Sequence, residues 1–137
     1  MSYATLVVGV GWLKNFGALV DDAQDGLTEY DVEKAEAFAD RRVNIWALKH
    51  GYNVSAAAFI TAPVIIEAAE MFGSARMIEF KFARDDDANV AMSASLLSDA
   101  QALLDAVRHT GLYAADGARI WPEDVAAVIR VSNPSDT

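Results

Sequence analysis

Residues 28–51 read TEYDVEKAEAFADRRVNIWALKHG and have the features of one long helix. Thr28 is a suitable N-cap residue, and an acidic side chain three positions later completes an approximate capping box. At the other end, Lys49 and His50 place cations in the last turn, and Gly51 follows them. The sequence therefore predicts an α-helix that begins just after Thr28 and ends at Gly51.

This helix separates apolar from acidic side chains, because successive residues turn by about 100°. The predicted apolar face consists of Ala35, Phe38, Ala39, Ile45 and Trp46. Arg42 and Lys49 are predicted near the centre of that face. Their long stems either extend to solvent or enter a subunit interface in which Arg42 meets a carboxylate.

The opposite face is predicted to be acidic, with Glu29, Glu33, Glu36 and Asp40 within about 60° of one another. Like charges at these spacings each destabilise a helix by a few tenths of a kcal/mol. Solvation of the charges is one explanation. The other is a function: Glu33, Glu36 and Asp40 repel DNA from a passage or meet a basic partner.

Two further helices follow along the chain. One begins near Pro63, where proline favours the first helical position, and its end is ambiguous because residues 78–82 alternate like a strand. The next runs from Asn89 or Val90 to His109, followed by another stop at Gly111. Residues 125–131 fit either a helix or a strand.

The 137 residues fit a single domain. The predicted fold class is mainly α, a small bundle of three to four helices with an extended N-terminal arm and possible short strands. The predicted boundaries are an N-terminal arm or strand over 1–26, the helical bundle over 27–111, a C-terminal docking segment over 112–131 and a disordered tail over 132–137.

Composition and motifs argue against several classes of function. A net charge of −9 opposes binding to nucleic acid through phosphate neutralisation. The chain has no cysteine, and its apolar stretch from Tyr3 to Leu13 is too short for a membrane span of about 20 residues. His50 and His109 are explained by their places at helix ends. We therefore expect no catalytic site, no metal and no cofactor.

Three aromatic residues lie in segments with weak helical or strand patterning, namely Trp12, Phe16 and Trp121. A three-helix core is not expected to cover them. Aromatic side chains of this kind often anchor protein–protein contacts. Together with Arg42, they are the predicted interface residues.

The helix order and spacing resemble the head–tail connector (adaptor) proteins of tailed bacteriophages and related gene transfer particles. The matching stretch runs from Leu27 to Gly111. It includes Leu27-Thr28-Glu29-Tyr30, Ala47-Leu48-Lys49-His50-Gly51-Tyr52, Glu67-Ala68-Ala69-Glu70-Met71-Phe72, Ala94-Ser95-Leu96-Leu97 and Thr110-Gly111. The strand-like residues 78–82 and the long N-terminal arm depart from this pattern.

This resemblance implies a homo-oligomeric ring, commonly of twelve copies, in the neck of the virion after assembly in the host cytoplasm. Its partners would be the portal protein and a tail or stopper protein. DNA would pass through the ring without specific binding, along the acidic face. The alternatives are another phage neck or tail-completion subunit, or a small cytoplasmic regulatory or binding protein that uses the acidic helix.

Overall fold

The computed structural model describes residue 3 and residues 29–82 and 87–123. Within these residues the chain is mainly helical, as predicted from the sequence. The described elements, in chain order, are α1 (Glu29–Lys49), α2 (Ala57–Ile60), α3 (Pro63–Phe82), α4 (Asp87–Thr110), β1 (Leu112–Tyr113) and β2 (Arg119–Ile120).

Helix α3 is the centre of the fold and packs along both α1 and α4. Small residues line its contacts: Ala68, Ala69 and Ala75 are fully buried, as is Phe72. Helices α1 and α4 have few contacts with each other in the described part of the chain. Each of these two flanking helices therefore has an outward side.

Glycines end both long flanking helices, as the sequence predicts. Gly51 has a φ of +84° after α1, and the Tyr52 N–H donates to the Ala47 carbonyl at 2.9 Å, as in a Schellman motif. Gly111 has a φ of +86° after α4, and its N–H donates to the Val107 carbonyl at 2.8 Å. Both positions require the left-handed backbone that glycine adopts without steric cost.

Residues 78–82, which the sequence leaves open between helix and strand, are helical, because α3 continues to Phe82. Ile78 is buried within the bundle, so packing between two flanking helices decides the conformation there. Helix α3 does begin at Pro63, as predicted. Helix α4 extends beyond the predicted range at both ends, from Asp87 to Thr110.

A short antiparallel hairpin follows α4, with Leu112 paired to Ile120 and Tyr113 to Arg119. Its turn contains Gly117 at a φ of +92°. Leu112 is fully buried, and Ile120 packs against the core. The described part of the predicted C-terminal docking segment thus folds onto the chain's own bundle.

Several predictions fall outside the described residues. They concern Trp12 and Phe16, the arm over 1–26 apart from Tyr3, residues 125–131 and the tail over 132–137. Tyr3 itself contacts the bundle, since its ring meets that of Phe59 edge-on with 5.8 Å between centroids.

Candidate interaction surface

The buried face of α1 includes Ala35, Ala39 and Trp46, as predicted, but it is rotated from the predicted face. Its buried residues are Val32, Ala35, Ala39, Val43, Trp46 and Ala47. Ile45, which was predicted to be in the core, is 66% exposed. The observed buried face is rotated around α1 from the predicted face, toward the acidic residues. The reason is that α3 packs against the small side chains of α1, because two helices can approach closely there.

The predicted position of Arg42 at the centre of the apolar face is therefore wrong. Arg42 is exposed and lies at the edge of the contact between α1 and α3. Its guanidinium carbon is 5.4 Å from the centroid of the Phe72 ring and 5.8 Å from that of Phe38. Its charge thus interacts with aromatic faces of its own bundle. Lys49 is likewise exposed.

The acidic residues of α1 adjoin the buried face and do not lie opposite it, which corrects the sequence prediction. Glu33 is exposed, whereas Glu36 and Asp40 are half-buried. A carboxylate oxygen of Asp40 accepts a hydrogen bond from the backbone N–H of Tyr3 at 3.0 Å. The hydroxyl of Tyr3 donates to the side-chain oxygen of Asn44, and burial, with the charge of Asp40, raises the pKa of Tyr3 to about 12.

The outward side of α1 carries large apolar side chains. Tyr30 is 66% exposed and Leu48 is 60% exposed, and Ile45 lies one turn before Leu48. Tyr30 and Leu48 are eighteen residues apart, which is five helical turns, so they point in the same direction about 27 Å apart. Exposed Ala37 and Arg41 lie between them on this side. We call these five residues the outer stripe.

A shallow groove of about 160 Å³ borders the outer stripe. Its lining residues are Arg42, Ile45, Trp46, Lys49 and His50 of α1, with Gln101 and Asp105 of α4. Small-molecule sites usually enclose about 300–1,000 Å³, so this groove has the size for a single side chain of a partner.

Aromatic stacking holds one wall of the groove in place. The Trp46 ring lies 4.7 Å from the His50 ring and 5.4 Å from the Tyr52 ring, measured between centroids. Burial, with the charge of Lys49 close by, lowers the pKa of His50. The indole N–H of Trp46 is buried and has no hydrogen-bond acceptor among the described residues.

Trp121 is 63% exposed, as the sequence predicts for a residue outside the helical core. The Arg119 guanidinium lies 4.0 Å from the centroid of its ring. The N–H of Glu123 donates to the Gly51 carbonyl at 2.8 Å. This bond holds the segment that follows Trp121 against the C-terminal end of α1. The role of Trp121 in an interface stays a prediction.

The described residues include no group of three or more His, Asp or Glu side chains that could hold a metal ion. None of the described helices combines the length and the apolar character needed to cross a membrane. No protein-family model, curated protein or solved structure matches the chain significantly. The candidate site is accordingly defined by exposed side chains and their charges.

Sequence reasoning missed the outer stripe and the hairpin. The spacing of Tyr30 and Leu48 would have placed them on one side of α1, away from Ala35 and Ala39. For the hairpin, the signal was Asp116-Gly117, a dipeptide typical of tight turns between strands.

Proposed function

We propose that this protein is a structural, non-catalytic subunit of a tailed-phage virion. In this proposal it forms the ring-shaped head–tail connector that joins the portal protein to a tail or stopper protein. The observation that carries the proposal is the outer stripe of α1, with Tyr30, Ile45 and Leu48 all exposed. The order of the long helices is compatible with the connector resemblance.

The apolar side chains of the outer stripe would be more stable in contact with another protein than in contact with water. Complete burial of a large apolar side chain stabilises by about 1.5–3 kcal/mol relative to leaving it in water. Isolated exposed apolar residues are common on monomers, but an aligned set on one helix favours a protein contact. Trp121 adds a further exposed aromatic.

The charge of the chain supports a role around DNA without specific binding. A ring of subunits would multiply the net charge of −9, and an acidic lumen repels phosphates so that DNA slides. Of the predicted channel residues, Glu33 is the exposed one, while Asp40 already accepts a bond from Tyr3. We therefore assign Glu33 the main part in the channel, with Glu36 and Asp40 contributing less.

The alternatives differ in the partner they require. Another neck or tail-completion subunit would use the same outer stripe on a different virion protein. A cytoplasmic regulator that acts through its acidic helix is less well supported, because Glu36 and Asp40 are half-buried and Asp40 already binds the N–H of Tyr3.

Coexpression with the portal protein encoded in the same genome tests the proposal. A connector is expected to be recovered with the portal as one discrete complex on a sizing column. Substitution of Leu48 by aspartate should abolish recovery, whereas the exposed Ala102→Asp on α4 serves as the control and should not. Failure of the unaltered protein to bind the portal, together with its absence from particles, would contradict the proposal.

A further inference from the structure

The groove between α1 and α4 contains hydrogen-bond donors that lack acceptors. Arg42 and Lys49 line it from α1, and neither makes an ion pair or a side-chain hydrogen bond with the described part of the chain. Trp46 lines the groove as well, and its buried indole N–H has no acceptor among the same residues. Two cations and a further donor without acceptors are thus collected at one place in a chain whose net charge is −9.

Arg42 keeps its capacity to donate hydrogen bonds although its charge contacts aromatic rings. The rings of Phe38 and Phe72 attract the guanidinium, whose carbon lies 5.8 and 5.4 Å from their centroids. A guanidinium has five N–H donors, and Arg42 gives none of them to an acceptor within the described residues. The aromatic contacts therefore position the guanidinium at the groove and leave its donors for a ligand.

The α4 wall of the groove carries less charge than the α1 wall. The Gln101 amide donates to a carboxylate oxygen of Asp105 at 3.2 Å, and Asp105 is the one acid among the lining residues. Burial lowers the pKa of His50, and the charges of Lys49 and Arg108 lower it further. Asp105 opposes this effect only in part, so the electrostatic potential in the groove is positive.

We propose that the groove binds the carboxylate side chain of an aspartate or glutamate in a partner protein. The donors of Arg42 and Lys49 bind the carboxylate oxygens, and the exposed Ile45 contacts an apolar residue beside the acid in the partner's sequence. The inference deepens the connector proposal and rests on it for the partner. It names the kind of side chain that the portal or the tail protein places next to the outer stripe.

A protein carboxylate suits this groove better than a DNA phosphate does. The volume of about 160 Å³ accommodates one side chain, whereas affinity for DNA comes from several phosphates bound by several bases. The net charge of the chain repels DNA at long range. Ile45 is 66% exposed at the groove and offers apolar contact area of the kind found in protein–protein interfaces.

Titration with two short peptides, followed by NMR, tests the inference. The probes are acetyl-Leu-Glu-Leu-amide and acetyl-Leu-Gln-Leu-amide, which have similar shapes and differ in one charge. The glutamate peptide should shift the indole N–H resonance of Trp46 and should bind about fivefold more tightly than the glutamine peptide. Because exposed charge pairs are individually weak, the titration should extend to about 20 mM peptide.

Substitutions at the groove should change the affinity for the glutamate peptide in opposite directions. Lys49→Gln removes a cation and should weaken binding about threefold. Asp105→Asn removes the opposing charge, keeps an acceptor oxygen for Gln101 and should strengthen binding about twofold. Arg41→Gln is the matched control, since Arg41 is an exposed cation of the same helix that does not line the groove, and it should bind like the unaltered protein. Circular dichroism checks that each variant is folded.

Four results would overturn the inference. They are an unchanged Trp46 resonance, equal affinity for the two peptides, equal weakening in Lys49→Gln and Arg41→Gln, and displacement of the glutamate peptide by a thymidine oligonucleotide, which would assign the groove to phosphate. Recovery with the portal by a protein that does not bind the glutamate peptide would overturn this inference alone. Binding of the glutamate peptide without recovery of the portal would contradict only the connector proposal.

Discussion

Two buried serines on facing helices should respond in opposite ways to substitution by alanine. Ser74 lies in α3 and is fully buried, and its hydroxyl has no hydrogen-bond partner in the described part of the chain. Ser93 lies in α4 and is 2% exposed. Its hydroxyl oxygen is 3.1 Å from the Ala75 carbonyl oxygen and 3.0 Å from a carboxylate oxygen of Glu79.

The expected magnitudes follow from these contacts. A serine hydroxyl has one proton, so Ser93 donates to only one of its two acceptors at a time. A hydrogen bond to a charged group contributes about 1.5–3 kcal/mol and one to a neutral carbonyl about 0.5–1.5 kcal/mol. Ser93→Ala should therefore lower the free energy of unfolding by about 1–2 kcal/mol. Ser74→Ala removes a buried hydroxyl without a partner and should leave stability unchanged or raise it by about 1 kcal/mol.

Urea unfolding followed by circular dichroism measures both variants against the unaltered protein. The difference between the two variants should be about 2 kcal/mol, with equal dependence of stability on urea concentration. Equal loss of stability in both variants would refute the reasoning, because Ser74 would then make a hydrogen bond as valuable as those of Ser93.

Three further predictions concern pH, glycine and the exposed arginine. The pKa of His50 is lowered in the folded protein, so the unfolded chain binds a proton at this residue more readily than the folded chain does. The free energy of unfolding should therefore fall as the pH drops below about 6.5. In thermal melts, the melting temperature of His50→Gln should fall less over the same pH range. Gly117→Ala should cost about 1 kcal/mol for its positive φ alone, since no atom lies within 4 Å of the new Cβ. Gly111→Ala should cost more in the same urea assay, because its Cβ would lie 3.1 Å from a hairpin side chain, and equal costs would contradict this. Arg42→Gln should destabilise by about 0.5–1 kcal/mol through loss of its aromatic contacts, whereas Arg41→Gln should be neutral, and equal effects in chemical unfolding would argue against those contacts.

The glycines that follow α1 and α4 and the proline that begins α3 could be predicted because local chemistry determines them. Glycine is favoured wherever a helix ends in the left-handed conformation, and both Gly51 and Gly111 have it. Proline fits the first turn of a helix, and α3 begins at Pro63. These preferences act within a few residues and do not depend on the rest of the fold.

The face of α1 that is buried could be predicted only in part. Ala35 and Ala39 were assigned to it correctly, but the large Ile45 was assigned there as well, whereas the small Ala47 is fully buried instead. Close packing against α3 favours small side chains, and that choice depends on a neighbour from elsewhere in the chain. Residues 78–82 are helical although their alternation favours a strand, and Ile78 among them is buried within the bundle.

The candidate site was harder to predict than the fold for a related reason. Trp121 could be recognised because it lies outside the helical pattern. The outer stripe could be recognised only after the buried face of α1 was known. Asp40 was assigned to an open acidic face, but it contacts Tyr3, which is thirty-seven residues away in the sequence.

We propose for this protein a structural role in the virion neck, and quantitative mass spectrometry of purified particles tests that role, with the portal protein as the internal standard for copy number. We expect the 14.8 kDa chain to be present at the stoichiometry of one ring per portal. Particles that contain the portal and tail proteins but lack this chain would contradict it.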